Sequence, residues 1–170
     1  FVAHWKQPPY ICIAPASVWF TKQFPADQWT ALINALPQNS TVYLIGAPGD
    51  HALCEHIRSH SNHLPVINLA GQLTFLQSAA LLKDALMNYV NDSAPMHFAS
   101  AINAPVAAVY CSTIPAFGFG PLSGNSHIVE ILQPLHCRPC GLHGRKNCPL
   151  GHFNCARQIT NRQLLAVLPT

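Results

Sequence analysis

The apolar residues of this chain fall into short continuous runs, separated by longer stretches in which they recur every three or four positions. A run without polar alternation is typical of a strand buried on both faces. The runs that predict strands cover residues 10–14, 41–45, 66–69, 86–91 and 106–110. The helical spacing between them predicts helices from Pro25, over 50–60, over 74–84 and from Asp92.

Strands that alternate with helices in this way predict an α/β domain, in which a parallel sheet is covered by helices on both faces. In such a sheet, ligands bind beyond the carboxyl ends of the strands. Polar residues gather there: Ser17 and Lys22 follow the first strand, Asp50 the second, and residues 92–97 the fourth. The sequence has neither a Gly-x-Gly-x-x-Gly motif nor a Walker loop, which disfavours a dinucleotide dehydrogenase or a P-loop enzyme.

The segment 90–101 joins the end of a predicted strand to the start of a predicted helix. Asp92 is a good candidate for the N-cap, because its carboxylate can accept from the free N–H groups of the first turn. Pro95 stands where no intrahelical N–H is needed. The free N–H groups and the helix dipole together predict a site for an anion such as a phosphate. A capped helix without a ligand is the alternative.

The composition limits the class of protein. Only 9% of the 170 residues are charged, well below the ~25% usual in soluble domains, which predicts a face covered by a partner domain. The net charge is +3 with ten histidines and no Lys/Arg run, so nucleic acid is not an expected partner. No apolar run reaches the ~18 residues of a membrane helix, and the start does not resemble a signal peptide.

The domain organisation follows from length and local composition. Residues 1–9 are polar and contain proline, which predicts the end of a linker. Residues 10–170 are long enough for one domain with its own core. A start at Phe1 instead of a methionine predicts a fragment or a processed piece.

The seven cysteines are an odd number, and four of them lie in residues 136–156, the Cys-rich segment. This favours a reducing compartment with a metal or thiol cluster over a secreted disulfide scaffold. Cys137-x2-Cys140 is a metal-type knuckle, and Cys148 and Cys155 follow it. Because the segment has few apolar residues, four thiolates on one structural ion such as zinc would supply its missing order. Free thiols and disulfides are the alternatives.

The remaining cysteines, Cys12, Cys54 and Cys111, fall on predicted strands or a helix and are expected to be small core residues. We expect the Cys-rich segment to lie away from the ligand edge of the sheet, because the loops of that edge come from elsewhere in the chain. The loop that carries Lys22 is expected to be exposed to solvent.

Several motifs occur in the order in which one known family has them. They are Ala14-Pro15-Ala16-Ser17 with a following Lys22 and Pro25, Gly46-Ala47-Pro48-Gly49-Asp50, Leu69-Ala70-Gly71-Gln72, and Asn91-Asp92-Ser93-Ala94-Pro95-Met96-His97. Together they resemble the C-terminal half of the ADP-heptose:lipopolysaccharide heptosyltransferases, glycosyltransferase family 9. The resemblance runs from about residue 10 to the end and includes the Cys-rich segment.

The resemblance implies a GT-B fold of two Rossmann-like domains, of which this chain would be the nucleotide-sugar donor domain. It implies transfer of heptose from ADP-heptose, with inversion, to the inner core of lipopolysaccharide. The catalytic base would be a carboxylate of the N-terminal domain, so no catalytic residue is expected in this chain. No cofactor is implied for catalysis, and the chain has no Asp-x-Asp motif for a metal at the diphosphate. The acceptor is linked to lipid A, which implies a cytoplasmic enzyme, peripheral on the inner membrane of a Gram-negative bacterium.

The resemblance also implies roles for single residues. Lys22 would meet the donor diphosphate, with Ser17 at the hydroxyl position of the same loop. Asp50 would hold the ribose or adenosine end, and Leu73 would line the adenine pocket. The structural alternatives are a solvated lysine, a helix cap at Asp50 and a core residue at Leu73.

Asp92, Ser93 and Ala94 match the turn that binds phosphate and sugar in that family, and His97 matches a histidine one turn into the helix. The family usually has glycine at the position of Ala94, and the added methyl fits if φ stays negative. A pure cap at Asp92 and a packed histidine at His97 are the structural alternatives. A GT-B enzyme with another nucleotide sugar, or a nucleotide-binding module without turnover, is the alternative for the whole domain.

Overall fold

The computed structural model describes residues 2–7, 9–63 and 65–169. Within them, six strands pair into one sheet in which each neighbouring pair is parallel. The strands are β1 Tyr10–Ala14, β2 Thr41–Leu44, β3 Val66–Asn68, β4 Asn88–Asn91, β5 Val106–Tyr110 and β6 Ser126–Glu130. Their order across the sheet is β3-β2-β1-β4-β5-β6.

The helices are α1 Ala26–Ala35, α2 His51–Ser59, α3 Phe75–Lys83, α4 Ala94–Ala101, α5 Asn154–Arg157 and α6 Asn161–Leu165. Helix α3 shows how local sequence sets a start: Thr74 Oγ1 accepts from Gln77 N–H, and Gln77 Oε1 accepts from Thr74 N–H. None of the helices in the described ranges is long and apolar enough to cross a membrane.

Two hydrophobic cores lie on the two faces of the sheet. On one face, Ile11 and Ile13 of β1 pack with residues of α1, α2, α5 and α6. On the other face, Tyr10, Cys12 and Ala14 pack with residues of α3 and α4. Successive side chains of a strand point to opposite faces, so a strand between two cores needs an unbroken apolar run. The predicted parallel α/β fold is confirmed.

The strand order places a crevice between β1 and β4. The chain moves outward from β1 through β2 to β3, and then returns to β4 on the other side of β1. The helices that follow β1 and β4 therefore lie on opposite faces of the sheet, since α1 belongs to one core and α4 to the other. Ligands bind at such a switch point, beyond the carboxyl ends of the two strands.

The predicted linker can be followed only in part, because Phe1 and Pro8 lie outside the described residues. Residues 3–5 form a single 3-10 turn, and the carbonyl of Trp5 accepts from Tyr43 Oη at 2.7 Å. Lys6 Nζ forms a surface ion pair with Asp84 Oδ2 at 2.7 Å. The assignment of 1–9 as a linker end stays a prediction.

Candidate functional site

An ion pair spans the crevice between β1 and β4. Lys22 lies at the end of a 3-10 turn in the β1–α1 loop, and Asp92 directly follows β4. Lys22 Nζ is 2.7 Å from Asp92 Oδ2, and the side chains are only 16% and 7% exposed. The same oxygen accepts from Thr113 Oγ1 at 2.7 Å. The loop that carries Lys22 was expected to be exposed to solvent, and Val18 and Phe20 in that loop are exposed, at 93% and 48%. The Lys22 side chain is not, because its ammonium pairs with Asp92 in the crevice.

Helix α4 begins beside this pair. Its N-cap is Ser93, and no side chain of the described residues caps it. The prediction of Asp92 as N-cap was wrong, since its carboxylate is held by Lys22 and Thr113 instead. The anion site predicted at the N–H groups of this first turn stays a prediction. The resemblance-based condition on Ala94 is met, because Ala94 lies within the helix and its φ is not positive.

Asn91 fixes the shape of the β1–α1 loop. It ends β4, is fully buried, and its side chain accepts from Phe24 N–H at 3.0 Å. Its Nδ2 donates to the carbonyl of Pro15 at 2.8 Å. One side chain thus joins both ends of the loop that carries Ser17 and Lys22. Sequence reasoning missed this role, although a polar residue at the end of an apolar strand was a usable signal.

Thr21 anchors the same loop from the other side. This residue is 1% exposed, and its Oγ1 accepts from Ser112 Oγ at 2.9 Å and from Arg145 N–H at 2.7 Å. Its backbone N–H donates to the carbonyl of Arg145 at 3.1 Å. The Cys-rich segment, which contains Arg145, therefore contacts the loop of Lys22. The expectation that this segment lies away from the ligand edge was wrong.

The other predicted residues lie along the same edge of the sheet. Asp50 stands at the N-cap position of α2 but makes no side-chain capping hydrogen bond there; its Oδ2 instead accepts from Ala47 N–H at 2.8 Å, at the start of the 3-10 turn Pro48–Asp50. Leu73 follows β3 and packs partly buried against the core on the α3–α4 face. Ser93 Oγ donates to the carbonyl of Asn91 at 3.3 Å, and His97 is exposed on α4. The ion pair thus unites Lys22 and Asp92, while Asp50 and Leu73 stand on the β2–β3 side.

Arg138 is a second residue that sequence reasoning missed. Its Nε donates to the carbonyl of Cys111 at 2.7 Å, and its Nη2 donates to the carbonyl of Thr113 at 2.8 Å. The guanidinium also pairs with Glu130 at the end of β6. The side chain is 10% exposed and fastens the Cys-rich segment to the residues that follow β5. No local pattern marked it among the arginines of this segment.

The Cys-rich segment brings its thiols into mutual electrostatic range. Burial and then the nearby Cys137 and Cys148 raise the pKa of the Cys140 thiol, which Arg145 partly offsets. Burial, followed by those three thiols, raises the pKa of Cys155 to about 12. Cys155 is 4% exposed on α5 and packs in the core on the α1–α2 face.

The arrangement of these thiols gives no support to the predicted zinc site. Across residues 2–7, 9–63 and 65–169, no three His, Cys, Asp or Glu side chains are placed to hold a metal ion. All seven cysteines are free thiols. Cys12, Cys54 and Cys111 are fully buried in the core, as predicted.

The fold and the site define a Rossmann-like α/β domain, with a lysine and a helix N-terminus at the switch point of a parallel sheet. The chain belongs to glycosyltransferase family 9 (heptosyltransferase), whose family model matches residues 2–150. This confirms the family that the motifs indicated.

Individual relatives agree with this membership. Lipopolysaccharide heptosyltransferase 3 of Escherichia coli is 32% identical over 119 residues, which cover 68% of this chain and 35% of the relative. Lipooligosaccharide heptosyltransferase 2 of Haemophilus ducreyi is 32% identical over 119 residues, which cover 66% of this chain and 34% of the relative. The structure of E. coli ADP-heptose lps heptosyltransferase II matches with a TM-score of 0.77 at 25% identity, covering 94% of this chain and 45% of that one. The chain spans about a third of the length of these curated relatives.

Proposed function

We propose that this chain is the donor-binding domain of a GT-B glycosyltransferase, which transfers heptose from ADP-heptose to the inner core of lipopolysaccharide with inversion. The observation that carries the proposal is the largely buried pair of Lys22 and Asp92 at the switch point, beside a helix N-terminus that no side chain among the described residues caps. Membership of glycosyltransferase family 9 supports it, and the names of the relatives supply the substrates.

Lys22 and helix α4 meet the donor diphosphate in this proposal. Without donor, the Asp92 carboxylate balances the Lys22 ammonium at 2.7 Å. When the donor binds, the ammonium lies between Asp92 and the phosphate oxygens. ADP gains negative charge as the glycosidic bond breaks, so a fixed cation and a helix dipole stabilise the transition state more than the ground state. No cofactor is needed for this step.

The rest of the donor extends along the edge of the sheet. The Asp50 carboxylate oxygen that does not hold Ala47 accepts from a ribose hydroxyl, and Leu73 lines the adenine pocket. What supports this placement is that both residues follow strands on the same side of β1. The residues assigned to the phosphates and the sugar are Ser17, Lys22, Asp92, Ser93, Ala94 and His97.

The chemistry at the acceptor belongs to the other half of the enzyme. A carboxylate of the N-terminal domain deprotonates the acceptor hydroxyl after the two domains close around the donor. This chain accordingly contributes no catalytic base. The acceptor is a core oligosaccharide linked to lipid A, so the enzyme works in the cytoplasm as a peripheral protein of the inner membrane of a Gram-negative bacterium.

Calorimetry of the 170-residue chain with ADP, ADP-heptose and UDP-sugars tests this proposal. ADP and ADP-heptose should bind, whereas UDP-sugars should not. Preferred binding of a UDP-sugar would indicate a GT-B enzyme with another donor, and binding of none would refute the donor site. ADP-heptose that binds but is not turned over by the chain joined to its N-terminal half would indicate a nucleotide-binding module.

The structural zinc ion at Cys137, Cys140, Cys148 and Cys155 stays a prediction. Its support is the sequence alone, in which Cys137-x2-Cys140 is a metal-type knuckle followed by Cys148 and Cys155. An ion there would have to draw the sulfurs closer together than the structure places them. It would order the Cys-rich segment and take no part in the transfer.

A further inference from the structure

Gly144 and Arg145 of the Cys-rich segment lie against the loop that carries Lys22, and we call residues 143–146 the strap. Gly144 makes the closest approach. A Cβ at this position would lie 2.9 Å from Lys22 Cγ and 3.3 Å from Lys22 Cδ. The φ of Gly144 is +80°, a left-handed conformation that side chains disfavour. The strap backbone therefore packs directly on the methylene stem of Lys22. Glycine suits this position because it has no Cβ to collide with the stem and because it adopts a positive φ without strain.

The strap is tied down beside this contact. Arg145 exchanges two hydrogen bonds with Thr21, the residue before Lys22. Just before the strap, Cys140 N–H donates to the carbonyl of Ser112 at 2.9 Å, and Ser112 Oγ donates to Thr21 Oγ1. Thr113, the next residue, holds Asp92. Both partners of the ion pair are thus connected to the strap through three or fewer residues.

We propose that the strap is a positioning element of the donor site, in which Gly144 and Thr21 act as positioning residues for Lys22. The inference rests on the proposed function, because it takes a nucleoside diphosphate as the ligand. A free lysine has a flexible stem and loses much rotamer freedom when it binds a phosphate. Here the stem is held between Gly144 and the ion pair, so Lys22 loses its rotamer freedom when the protein folds and not when the ligand binds. The ammonium therefore faces the crevice before the ligand arrives.

Three glycine substitutions in one segment separate positioning from backbone strain. Gly144→Ala brings a methyl group against Lys22, whereas Gly141→Ala and Gly151→Ala add it where nothing lies within 4 Å. All three glycines have positive φ, at +80°, +100° and +72°, so the strain is shared. We expect Gly144→Ala to weaken ADP binding by about tenfold and each control by less than about twofold.

A double-mutant cycle shows whether the effect passes through Lys22. Lys22→Met keeps the stem and removes the charge, so Gly144→Ala should weaken ADP binding by less than about twofold more in that background. A general loss of structure would instead weaken binding in both backgrounds. Thr21→Val removes the two hydrogen bonds that Thr21 Oγ1 accepts, from Arg145 N–H and Ser112 Oγ, and leaves the backbone hydrogen bonds in place, whereas Thr21→Ser keeps the hydroxyl. The valine variant should bind ADP about fivefold more weakly, and the serine variant should restore binding.

The outcomes separate this inference from the proposed function. If the unmodified chain does not bind ADP, the proposed function fails. If it binds ADP and Gly144→Ala matches Gly141→Ala, the strap does not position Lys22 and the inference is overturned. If Gly144→Ala does not fold, the Thr21 pair decides: equal ADP affinities of Thr21→Val and Thr21→Ser overturn the inference, and a difference of about fivefold supports it.

Discussion

The ion pair between Lys22 and Asp92 makes Lys22→Met an informative substitution. Methionine keeps an apolar stem of similar length, so the variant removes the ammonium and little of the packing. Asp92 then keeps its hydrogen bond from Thr113 but loses its cation, while its side chain is only 7% exposed. The variant tests at once whether the pair stabilises the fold and whether the lysine binds the donor.

The burial of the ion pair sets the size of the expected loss of stability. Removing one partner of a fully buried ion pair costs about 3–5 kcal/mol, and an exposed pair contributes about 0–1 kcal/mol. Lys22 retains some exposure and Thr113 still satisfies the carboxylate, so Lys22→Met should lower the free energy of unfolding by about 2–3 kcal/mol. Lys22→Ala should cost about 1–2 kcal/mol more, because it also deletes methylenes packed on Gly144. ADP binding should weaken by about ten- to a hundredfold in either variant.

Urea unfolding measures the free energy of unfolding, and calorimetry with ADP measures the affinity for ADP. Lys6→Met is a matched control, because Lys6 pairs with Asp84 at the same 2.7 Å but with side chains 26% and 49% exposed. The control should change stability by less than about 1 kcal/mol and leave ADP binding unaltered. The reasoning is refuted if Lys22→Met is as stable as Lys6→Met, or if it binds ADP as the unmodified chain does.

Four further predictions concern the whole chain and its thiols. The purified 170-residue chain should bind ADP or ADP-heptose but transfer no sugar, and measurable turnover would contradict a base in the other domain. Elemental analysis of protein purified under reducing conditions tests the metal site: about one equivalent of zinc or iron would support it, and less than about a tenth with free thiols would exclude it. If the ion is present, chelation should weaken ADP binding as well, since the strap touches Thr21. At pH 8, Cys155 should react with a thiol reagent only on unfolding, because burial raises its pKa to about 12 and leaves little thiolate, whereas the half-buried Cys137 should react in the folded protein.

The sequence predicted the strands that are buried on both faces, because burial requires an unbroken apolar run. β1 was predicted at its observed bounds because a strand between two cores must be apolar at every position. β6 was missed because it is an edge strand in which only Val129 is buried, while Ser126, His127 and Glu130 are partly exposed and Ile128 is exposed. With neither a continuous run nor a clean alternation, its five residues resemble a loop.

Contacts between distant parts of the chain account for the errors at the site. Asp92 has the sequence context of an N-cap, yet its carboxylate binds Lys22 and Thr113 and not the free N–H groups of the helix. Nothing near Gly144 in the sequence indicates that it packs on Lys22, because that approach exists only in the folded sheet. The edge that carries the site was predictable from the order of the elements, whereas the pairing within it depends on long-range packing.

The strap follows β1–β5 in the sequence, so the ribosome makes it after the loops that carry Lys22 and Asp92. A growing polypeptide has all of β1–β5 once Tyr110 is made, and with them the loops that carry Lys22 and Asp92. The stem of Lys22 is still uncovered at that stage, because Gly144 and Arg145 have not yet been added. The core on the α1–α2 face also waits for Ile159 and Leu164. A nascent chain therefore has five of the six strands before it has the residues that cover the stem of Lys22.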